Sequence, residues 1–348
     1  DADLLRRAIN GRAFLRQYGL SKYNPVPRGF GEIPAAGYVL VVDQVAGDAS
    51  IAGGLADAKT FVQMLSAAKV ENPNKQIVIR THPVVRSGGK VGHFDVTDEG
   101  ENVIVSTKPL NPWDLLEGAS KVYCVTSQMG FDAILAGHRP EVFGVPFYAG
   151  WGLSNDRQSA VRRTRVLSVE QLFAGSMLVY PFWYSHAQGA ACDFEEAARQ
   201  LYAQARHRWD GLRPTSALGM RLWKRANVAQ FLAGGGHPVQ FMTSESKALR
   251  RAQESGGQLV VWASKEDAGM AVRADAVNVP LIRMEDGFLR STGLGAQLTP
   301  ASSLVLDNCG IYYDLRKPSQ LEALITVAVN LPDFAIERAS ELRENLVA

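Results

Sequence analysis

Two adjacent carboxylates follow an apolar run in the last third of the chain, where residues 281–291 read LIRMEDGFLRS. Charge is costly inside a sheet, so Glu285 and Asp286 at the end of a predicted buried strand indicate a use at the edge of a cleft. A carboxylate there can act as a general base, and Arg290 can hold an anionic group of a substrate. The alternative is a structural ion pair between Glu285 and Arg283 or Arg290.

Two further polar motifs follow predicted strands in the first half of the chain. DQVAGDAS, at residues 43–50, carries Asp48 in a glycine-containing loop, where an aspartate by itself most often caps a helix or forms a turn. IRTHP, at residues 79–83, ends in His82 and Pro83. The imidazole can bind a phosphate and stabilise its departure, while the proline stiffens the turn. A surface histidine with only structural partners is the alternative.

The motif VTSQMGF, at residues 125–131, places two hydroxyls and an amide between a predicted strand and a predicted helix. The first N–H groups of a helix have no partners inside the helix, and the helix dipole favours an anion there. Ser127 and Gln128 can therefore cradle a phosphate. Simple capping of the helix by Thr126 or Ser127 is the alternative.

A glycine-rich turn with two aromatic residues follows at residues 143–157, FGVPFYAGWGLSNDR. Tyr148 and Trp151 among these glycines predict a rigid aromatic loop at the end of a strand. The sequence has no G-x-G-x-x-G after a strand, no P-loop, no G-x-S-x-G elbow and no metal-spaced pair of histidines. It therefore gives no support to the usual dinucleotide, P-loop or serine-hydrolase interpretations.

The elements that must position these motifs are predicted by apolar runs. In the first half, strands at 38–43, 76–81, 103–106, 121–127 and 141–144 alternate with helices, which implies a parallel sheet covered on both faces. A helical pattern follows at 168–209, with interruptions at residues 180–181 and around Gly189. A second alternation then predicts strands at 238–242, 258–264, 280–284 and 303–307, and helices at 215–232, 245–254, 318–329 and 332–347. We therefore predict an α/β chain with two doubly wound Rossmann-type lobes, 1–185 and 215–348, joined by a helical linker at 186–214. The lobes are expected to face a cleft rimmed by the carboxyl ends of both sheets, where ligands bind in this architecture.

Composition narrows the class of protein. The chain has 348 residues, which corresponds to about two domains, and its formal charge of +2 gives no argument for nucleic acid. Its 3 cysteines are widely spaced, as expected in a reducing cytoplasm. No apolar run reaches the length of a membrane span, and no signal peptide is visible. The chain opens without methionine and in helical rhythm, and its last helix resembles its first, so we expect an internal part of a larger protein with two related modules.

Together the motifs are more specific than any one of them. DQVAGDAS, RTHP, VTSQMGF, VPFYAGWGLSNDR with the following RR, MEDGFLRSTGLG and LDNCGIYYDLRKPSQLE closely resemble the capsule polysaccharide Kdo transferases of the KpsC/KpsS type. The resemblance covers nearly the whole chain and is weakest near residues 185–215 and 243–256. It implies a retaining β-Kdo glycosyltransferase of the two-lobed GT-B kind. Such an enzyme takes Kdo, an acidic keto sugar, from CMP-β-Kdo and passes it to a Kdo-terminated acceptor on a phosphatidylglycerol lipid.

The resemblance also implies roles for individual residues. Asp48 would be the nucleophile of a double displacement, Glu285 the general base, and His82 the residue beside the departing phosphate. Arg290 or Arg80 would hold the Kdo carboxylate. Donor binding is further expected from Gln44, Arg80, His82, Pro83, Thr126, Ser127, Gln128, Tyr148, Trp151, Asp286, Arg290 and Ser291. No metal and no cofactor besides the donor CMP-Kdo are expected, because no Asp-x-Asp dyad follows a predicted strand.

The order of the motifs departs from the family pattern. A module of that family begins with the EDGFLRS lobe and continues through SKYN into the lobe with D-A-S, HP, TS and YAGWG. Here the CMP-binding lobe comes first. Either the chain is one complete, circularly permuted module of a dual transferase, which we favour, or it joins halves of two modules.

Two alternative functions remain open, and the sequence also suggests where the protein acts in the cell. A sugar-nucleotide epimerase can share the two-lobed fold and would not need an acceptor, and the lobes could also form a non-catalytic scaffold in a capsule assembly. Residues 218–232 are basic and apolar enough either to touch a membrane surface or to pack between the lobes. We expect a cytoplasmic protein, peripheral at the inner face of the inner membrane, with other capsule assembly proteins as partners.

Overall fold

The computed structural model describes residues 1–82, 85, 89–293 and 298–347. The chain divides into two compact units, Asp1–Tyr202 (unit 1) and Ala203–Ala348 (unit 2). Each unit is an α/β structure built around its own sheet. The predicted α/β class with largely parallel sheets is therefore confirmed.

Unit 1 contains a parallel sheet with the strand order β3-β2-β1-β4-β5-β6. Its strands are β1 (Tyr38–Val42), β2 (Ile77–Arg80), β3 (Val103–Ser106), β4 (Ala119–Cys124), β5 (Glu141–Val142) and β6 (Asn155–Asp156). Its helices are α1 (Ala2–Tyr18), α2 (Ala49–Gly53), α3 (Ala58–Glu71), α4 (Pro112–Gly118), α5 (Met129–Ala136) and α6 (Val169–Phe173), which continues as a π-helix at Ala174–Val179. Helix α7 (Phe194–Asp210) begins in this unit and ends in the next.

The middle of the unit 1 sheet is apolar on both faces. Every residue of β1 is buried, and Leu40 pairs with Val78 on one side and Val122 on the other. Helices cover both faces of a parallel sheet, so its central strands are continuous apolar runs without alternation. The consequence for function is that polar side chains can appear only where the strands end.

Unit 2 contains a sheet with the strand order β10-β9-β11-β12-β13. Its strands are β9 (Thr215–Leu218), β10 (Gln240–Met242), β11 (Gln258–Trp262), β12 (Leu281–Asp286) and β13 (Leu304–Asp307). Its helices are α8 (Leu222–Leu232), α9 (Glu245–Glu254), α10 (Met270–Ala276), α11 (Gln320–Val327) and α12 (Asp333–Val347). None of the helices within the described residues is both long enough and apolar enough to cross a membrane.

One sequence prediction for unit 2 is wrong. Residues 215–218 form β9 instead of the start of a helix, and β9 lies between β10 and β11 near the middle of the sheet. The four-residue segment TSAL has little β-branched or aromatic content, so its burial between two strands decides its conformation. Strand β13 runs antiparallel to β12. No helix is predicted between the strands at 280–284 and 303–307, and the described part of the connection from β12 to β13 contains none.

The segment predicted as helical at residues 168–209 is also more varied. Between the π-helix and α7 it forms a hairpin of β7 (Trp183–Ser185) and β8 (Ala190–Cys192). Trp183 packs edge-to-face on Phe194, with ring centroids 5.4 Å apart. The hairpin begins just after the predicted interruption at residues 180–181, and its turn contains the one around Gly189.

Candidate functional site

A cavity of about 310 Å³ opens at the carboxyl ends of β1, β2 and β4 in unit 1. The strands of a parallel sheet end at the same edge, so motifs far apart in the chain converge there. Seven of the predicted site residues line this cavity: Gln44, Asp48, Arg80, His82, Thr126, Ser127 and Gln128. Pro83, predicted beside them, lies outside the described residues.

Asp48 combines the two interpretations that its motif allowed. It is the N-cap of α2, where its Oδ1 accepts the backbone N–H of Ser50 at 2.8 Å, and it also lines the cavity. Hydrogen bonds from the hydroxyl and the backbone of Ser50 hold the pKa of Asp48 below its ordinary value, and the charges of Lys22 and His82 act in the same direction. The carboxylate is therefore ionised at neutral pH, as a nucleophile must be.

His82 is half-buried beside Asp48. Its ring meets the ring of Tyr23 edge-to-face, with centroids 5.7 Å apart. Burial lowers the pKa of His82, the charge of Lys22 lowers it further, and the charge of Asp48 opposes both. A neutral imidazole is therefore favoured, and a neutral imidazole carries one N–H donor and one acceptor nitrogen.

Three of the lining residues are engaged in holding the strand ends together. The side-chain amide of Gln44 donates to Thr126 Oγ1 at 2.9 Å, and its Oε1 accepts the Thr126 backbone N–H at 2.8 Å. The buried guanidinium of Arg80 donates to backbone carbonyls of the segment that follows β3, those of Lys108 and Leu110 included. These contacts indicate that Gln44 and Arg80 shape the floor of the cavity.

The two predicted aromatic residues, Tyr148 and Trp151, follow Phe147, which lines this cavity. Tyr148 is 0% exposed, and its hydroxyl donates to the carbonyl oxygen of Ser127 at 2.6 Å. Trp151 donates from Nε1 to the carbonyl of Phe147 at 2.8 Å. Among the described residues that line the cavity, Phe147 is present but Tyr148 and Trp151 are not. Tyr148 therefore positions the backbone at the start of α5 from beneath.

Unit 2 has its own cavity, of about 400 Å³, at the carboxyl ends of β9, β11 and β12. It is lined by Gly219, Arg221, Trp223, Lys224, Trp262, Ser264, Lys265, Glu285, Asp286 and Arg290. Cationic side chains thus outnumber the acids in a wall that also carries two indole rings. Such a wall suits an acidic, hydroxyl-rich ligand.

The two adjacent carboxylates have different partners. Asp286 Oδ2 lies 3.1 Å from Arg290 Nε and 3.3 Å from Lys224 Nζ, so Asp286 is the structural ion-pair residue. Arg283 forms a bidentate pair with Glu266. Within the described residues, Glu285 makes no ion pair.

Glu285 is therefore the candidate base of this cavity. Burial raises its pKa, and the neighbouring charge of Asp286 raises it further. Arg290, which Asp286 already contacts, also donates from Nη1 to Ser291 Oγ at 2.7 Å. Asp48 lies in unit 1 and Glu285 in unit 2, and their convergence on one anomeric centre stays a prediction.

Several residues of the unit 1 cavity were missed by sequence reasoning: Ser21, Lys22, Tyr23, Asp43 and Asp132. The segment SKYN, at residues 21–24, enters the sequence analysis only through the motif order of the family, and no role is predicted for its side chains. Asp132 lies inside an apolar helical run, and Asp43 ends a strand as any polar residue can. Asp43 and Asp132 lie in or next to the motifs, but no local pattern distinguishes a lining side chain from a structural one, and only the charge of Asp132 inside an apolar run offered a hint.

Comparisons with known proteins show which family the chain resembles. The sequence profile of a family described as "Capsule polysaccharide biosynthesis protein" matches residues 33–189 and 258–347. "Capsule polysaccharide modification protein LipA" of Neisseria meningitidis, from serogroup B strain MC58 and from serogroup A strain Z2491, is 35% identical over 357 residues, covering 99% of this chain. The chain spans about half the length of these curated relatives, 50% of each. The solved structure of "Thermosulfurimonas dismutans KpsC, beta Kdo 2,4 transferase" is 38% identical, with a TM-score of 0.55, covering 58% of this chain and 64% of that one.

Proposed function

The chain belongs to the capsule polysaccharide biosynthesis family, and we propose that it is a β-Kdo glycosyltransferase of capsule synthesis. The donor would be CMP-β-Kdo, and the acceptor a Kdo-terminated, lipid-linked oligosaccharide. The observation that carries this proposal is the ionised Asp48 at the rim of a cavity that also contains His82 and the start of α5. The likeness to a solved β-Kdo transferase supports the same assignment.

In the first step of the proposed mechanism, the Asp48 carboxylate attacks the anomeric carbon of Kdo. The bond from that carbon to the phosphate oxygen breaks, and its electron pair leaves with CMP. The positive end of the α5 dipole and the neutral His82 stabilise the charge of the departing phosphate, which needs charge stabilisation more than protonation. The product of this step is a covalent Kdo–Asp48 ester and free CMP.

In the second step, the acceptor hydroxyl displaces Asp48 from the anomeric carbon. Glu285 takes the hydroxyl proton while the new glycosidic bond forms, and the Asp48 carboxylate is released. Two displacements at the same carbon retain its configuration. Burial makes Glu285 a stronger base than an exposed glutamate, because it raises the pKa of the carboxyl group.

The proposal extends to architecture and place. A GT-B enzyme whose CMP-binding lobe precedes its EDGFLRS lobe would be one circularly permuted module, with unit 1 binding the donor and unit 2 the acceptor. The cationic wall with Trp223 and Trp262 in unit 2 supports an acidic acceptor. A lipid-linked acceptor would bring the protein to the inner face of the inner membrane, among other capsule assembly proteins.

Two substitutions at Asp48 test the mechanism with an internal control for folding. Asn caps a helix about as well as Asp, whereas Ala costs about 1 kcal/mol of stability. We expect Asp48→Asn to keep the wild-type melting temperature and CMP affinity but to lose at least about 10³-fold in Kdo transfer. Asp48→Ala should lose transfer and some stability. Assays use the whole chain with CMP-β-Kdo and a synthetic Kdo-terminated acceptor, and product is followed by mass spectrometry.

The outcome that contradicts the nucleophile role is near-normal transfer by Asp48→Asn. Transfer that requires the acceptor also separates this function from an epimerase, which would convert the sugar nucleotide without one. If calorimetry shows that the wild-type chain does not bind CMP, the interpretation as a non-catalytic scaffold in a capsule assembly is favoured instead.

A further inference from the structure

The segment at residues 19–26 links α1 to the unit 1 sheet and forms one wall of the unit 1 cavity. Ser21, Lys22, Tyr23 and Pro25 all line that cavity. The proposed mechanism uses none of them. Their presence beside Asp48 and His82 calls for a separate explanation.

The segment is fastened at both of its ends. Trp113 donates from Nε1 to the carbonyl of Leu20 at 2.8 Å. The side-chain amide of Asn111 donates to the carbonyls of Gly19 at 2.9 Å and Val26 at 3.2 Å. Asn111 and Trp113 are fully buried around the start of α4, so these three bonds hold the segment against the interior.

The middle of the segment is fixed as well. The Ser21 backbone N–H donates to Asn24 Oδ1, and Asn24 Nδ2 donates to the Ser21 carbonyl, both at 2.9 Å. The Ser21 hydroxyl donates to Asp132 Oδ2 at 2.6 Å. Asp132 is buried in the first turn of α5, the helix whose start is the proposed phosphate site. Ser21 therefore sets the position of the next residue relative to that site.

That next residue is Lys22, an exposed cation on the cavity wall. Its ammonium lies 5.3 Å from the centroid of the Tyr23 ring, and that ring in turn contacts His82. Lys22, Asp48 and His82 line the same cavity, and the charge of Lys22 acts on both of the other two. Within the described residues, Lys22 forms no ion pair.

The rest of the cavity wall has little positive charge to offer a ligand. Arg80 is buried, and its guanidinium is engaged with backbone carbonyls. Asp43, Asp48 and Asp132 are acids of the same wall. An anionic donor entering this cavity would be repelled unless one cation faced it, and Lys22 is the lysine among the described lining residues.

We propose that Lys22 is the residue that binds the anionic centre of the donor, held in place for this by the Ser21–Asp132 hydrogen bond. This inference rests on the proposed function. In an activated 2-keto sugar acid, the anomeric carbon carries both a carboxylate and the phosphate leaving group. An anionic nucleophile such as Asp48 must approach a carbon flanked by two anions. The ammonium of Lys22 offsets that repulsion, and its ligand is an oxyanion attached to the reacting carbon.

Substitutions of Lys22 test whether its positive charge contributes to binding of the donor. A lost charge-assisted hydrogen bond is worth about 1.5–3 kcal/mol, so Lys22→Met should raise the KM for CMP-β-Kdo by about 10-fold to 100-fold. Lys22→Arg keeps the charge and should stay within about 5-fold of wild type. Lys69→Met, on the exposed face of α3, is the matched control and should leave KM unchanged.

Calorimetry with two probes separates the possible oxyanions. Free CMP carries the phosphate alone, and free Kdo carries the carboxylate alone. A Lys22→Met chain that loses affinity for CMP assigns Lys22 to the phosphate, and one that loses only Kdo affinity assigns it to the carboxylate. Unchanged KM and unchanged affinity for both probes would overturn the inference while leaving the proposed function intact. A wild-type chain that binds neither CMP nor donor would overturn both.

The positioning role of Ser21 has a test of its own. Ser21→Ala should raise the donor KM, whereas Ser21→Thr keeps a hydroxyl and should restore it. In the double variant with Lys22→Met, loss of the Ser21 hydroxyl should have no further effect on KM, because the cation that it positions is gone. Additive effects on KM would contradict the positioning role, since a purely structural defect would act in either background.

Discussion

Glu285 and Asp286 are neighbours in sequence, but the strand end on which they lie gives them opposite tasks. Asp286 receives Arg290 and Lys224, so its charge is compensated inside the protein. Glu285 keeps no cation of its own within the described residues, and burial raises its pKa. Glu285 accepts only the backbone N–H of Asp286 among the hydrogen bonds of the described residues, and a carboxylate with raised basicity and no ion pair suits a proton transfer better than a paired one.

A pair of amide substitutions distinguishes these tasks. Glu285→Gln should lower kcat for Kdo transfer by about 10²-fold to 10⁴-fold, because it removes the general base, and it should leave CMP affinity unchanged. Asp286→Asn should mainly lower the melting temperature, since it leaves Arg290 and Lys224 without their counter-charge. Steady-state kinetics and thermal melts of the two variants provide the comparison. Equal loss of kcat in both would contradict the division of roles.

The pH profile of the wild-type chain provides an independent check on Glu285. A base works only when deprotonated, so kcat should fall as the pH drops through the pKa of Glu285. Because burial raises that pKa, the acidic limb should lie above the ordinary glutamate value of 4.5. A limb at or below that value would assign the base to another group.

At the scale of elements, the short helix α2 approaches the end of β4 closely enough to exclude side chains. A Cβ on Gly54 would lie 2.3 Å from Thr126 Cγ2 and 2.8 Å from the Ser50 carbonyl oxygen. Thr126 and Ser50 are themselves linked through Gln44. Helix α2, which Asp48 caps, can therefore lie this close to the end of β4 only because Gly54 has no side chain.

Two adjacent glycines give a matched test of this contact. Gly54→Ala should cost about 1–3 kcal/mol by overpacking and should lower the rate of Kdo transfer, because it displaces α2 and Asp48. Gly53→Ala meets no atom within 4 Å and should be neutral or slightly stabilising. Denaturant unfolding and transfer assays measure both. A Gly54→Ala chain that behaves like Gly53→Ala would show that α2 can move away without consequence.

At the scale of the whole molecule, unit 1 contains two buried carboxyl groups whose pKa is raised by burial. Asp43 is 2% exposed, and burial raises the pKa of its carboxyl to about 6, against hydrogen bonds from His93 and Gln44. Burial likewise raises the pKa of Asp132 to about 6. An acid whose pKa is higher in the folded state stabilises the fold below its unfolded pKa, and this contribution is lost as pH rises through about 6.

The stability of Asp43→Asn relative to wild type should therefore change with pH. Asparagine does not titrate, so wild type should lose up to about 3 kcal/mol relative to the variant between pH 4 and pH 8. Asp57→Asn is the contrasting control, because bonds from Thr60 lower the pKa of this exposed cap, and its slope should have the opposite sign. Denaturant unfolding at several pH values measures the slopes. If the difference in free energy of unfolding between Asp43→Asn and wild type does not change with pH, the buried Asp43 does not contribute to the pH dependence of stability.

The sequence by itself determined where chemistry could lie. Apolar runs without alternation predicted the parallel strands, and the polar motifs after β1, β2 and β4 predicted one edge of a sheet. This inference works because the end of a buried strand, and the polar residue that follows it, can be recognised from the local sequence alone. The same reasoning distinguished β12, with its terminal acids, from the strands that end in ordinary turns.

Tertiary structure decided which of those side chains act and which support. It placed Tyr148 beneath Ser127, paired Asp286 and not Glu285, and made a strand of residues 215–218. It also brought Lys22 to the cavity through a hydrogen bond between Ser21 and Asp132, 111 positions apart. Periodicity reports only neighbours along the chain, whereas charge, burial and pairing depend on neighbours in space.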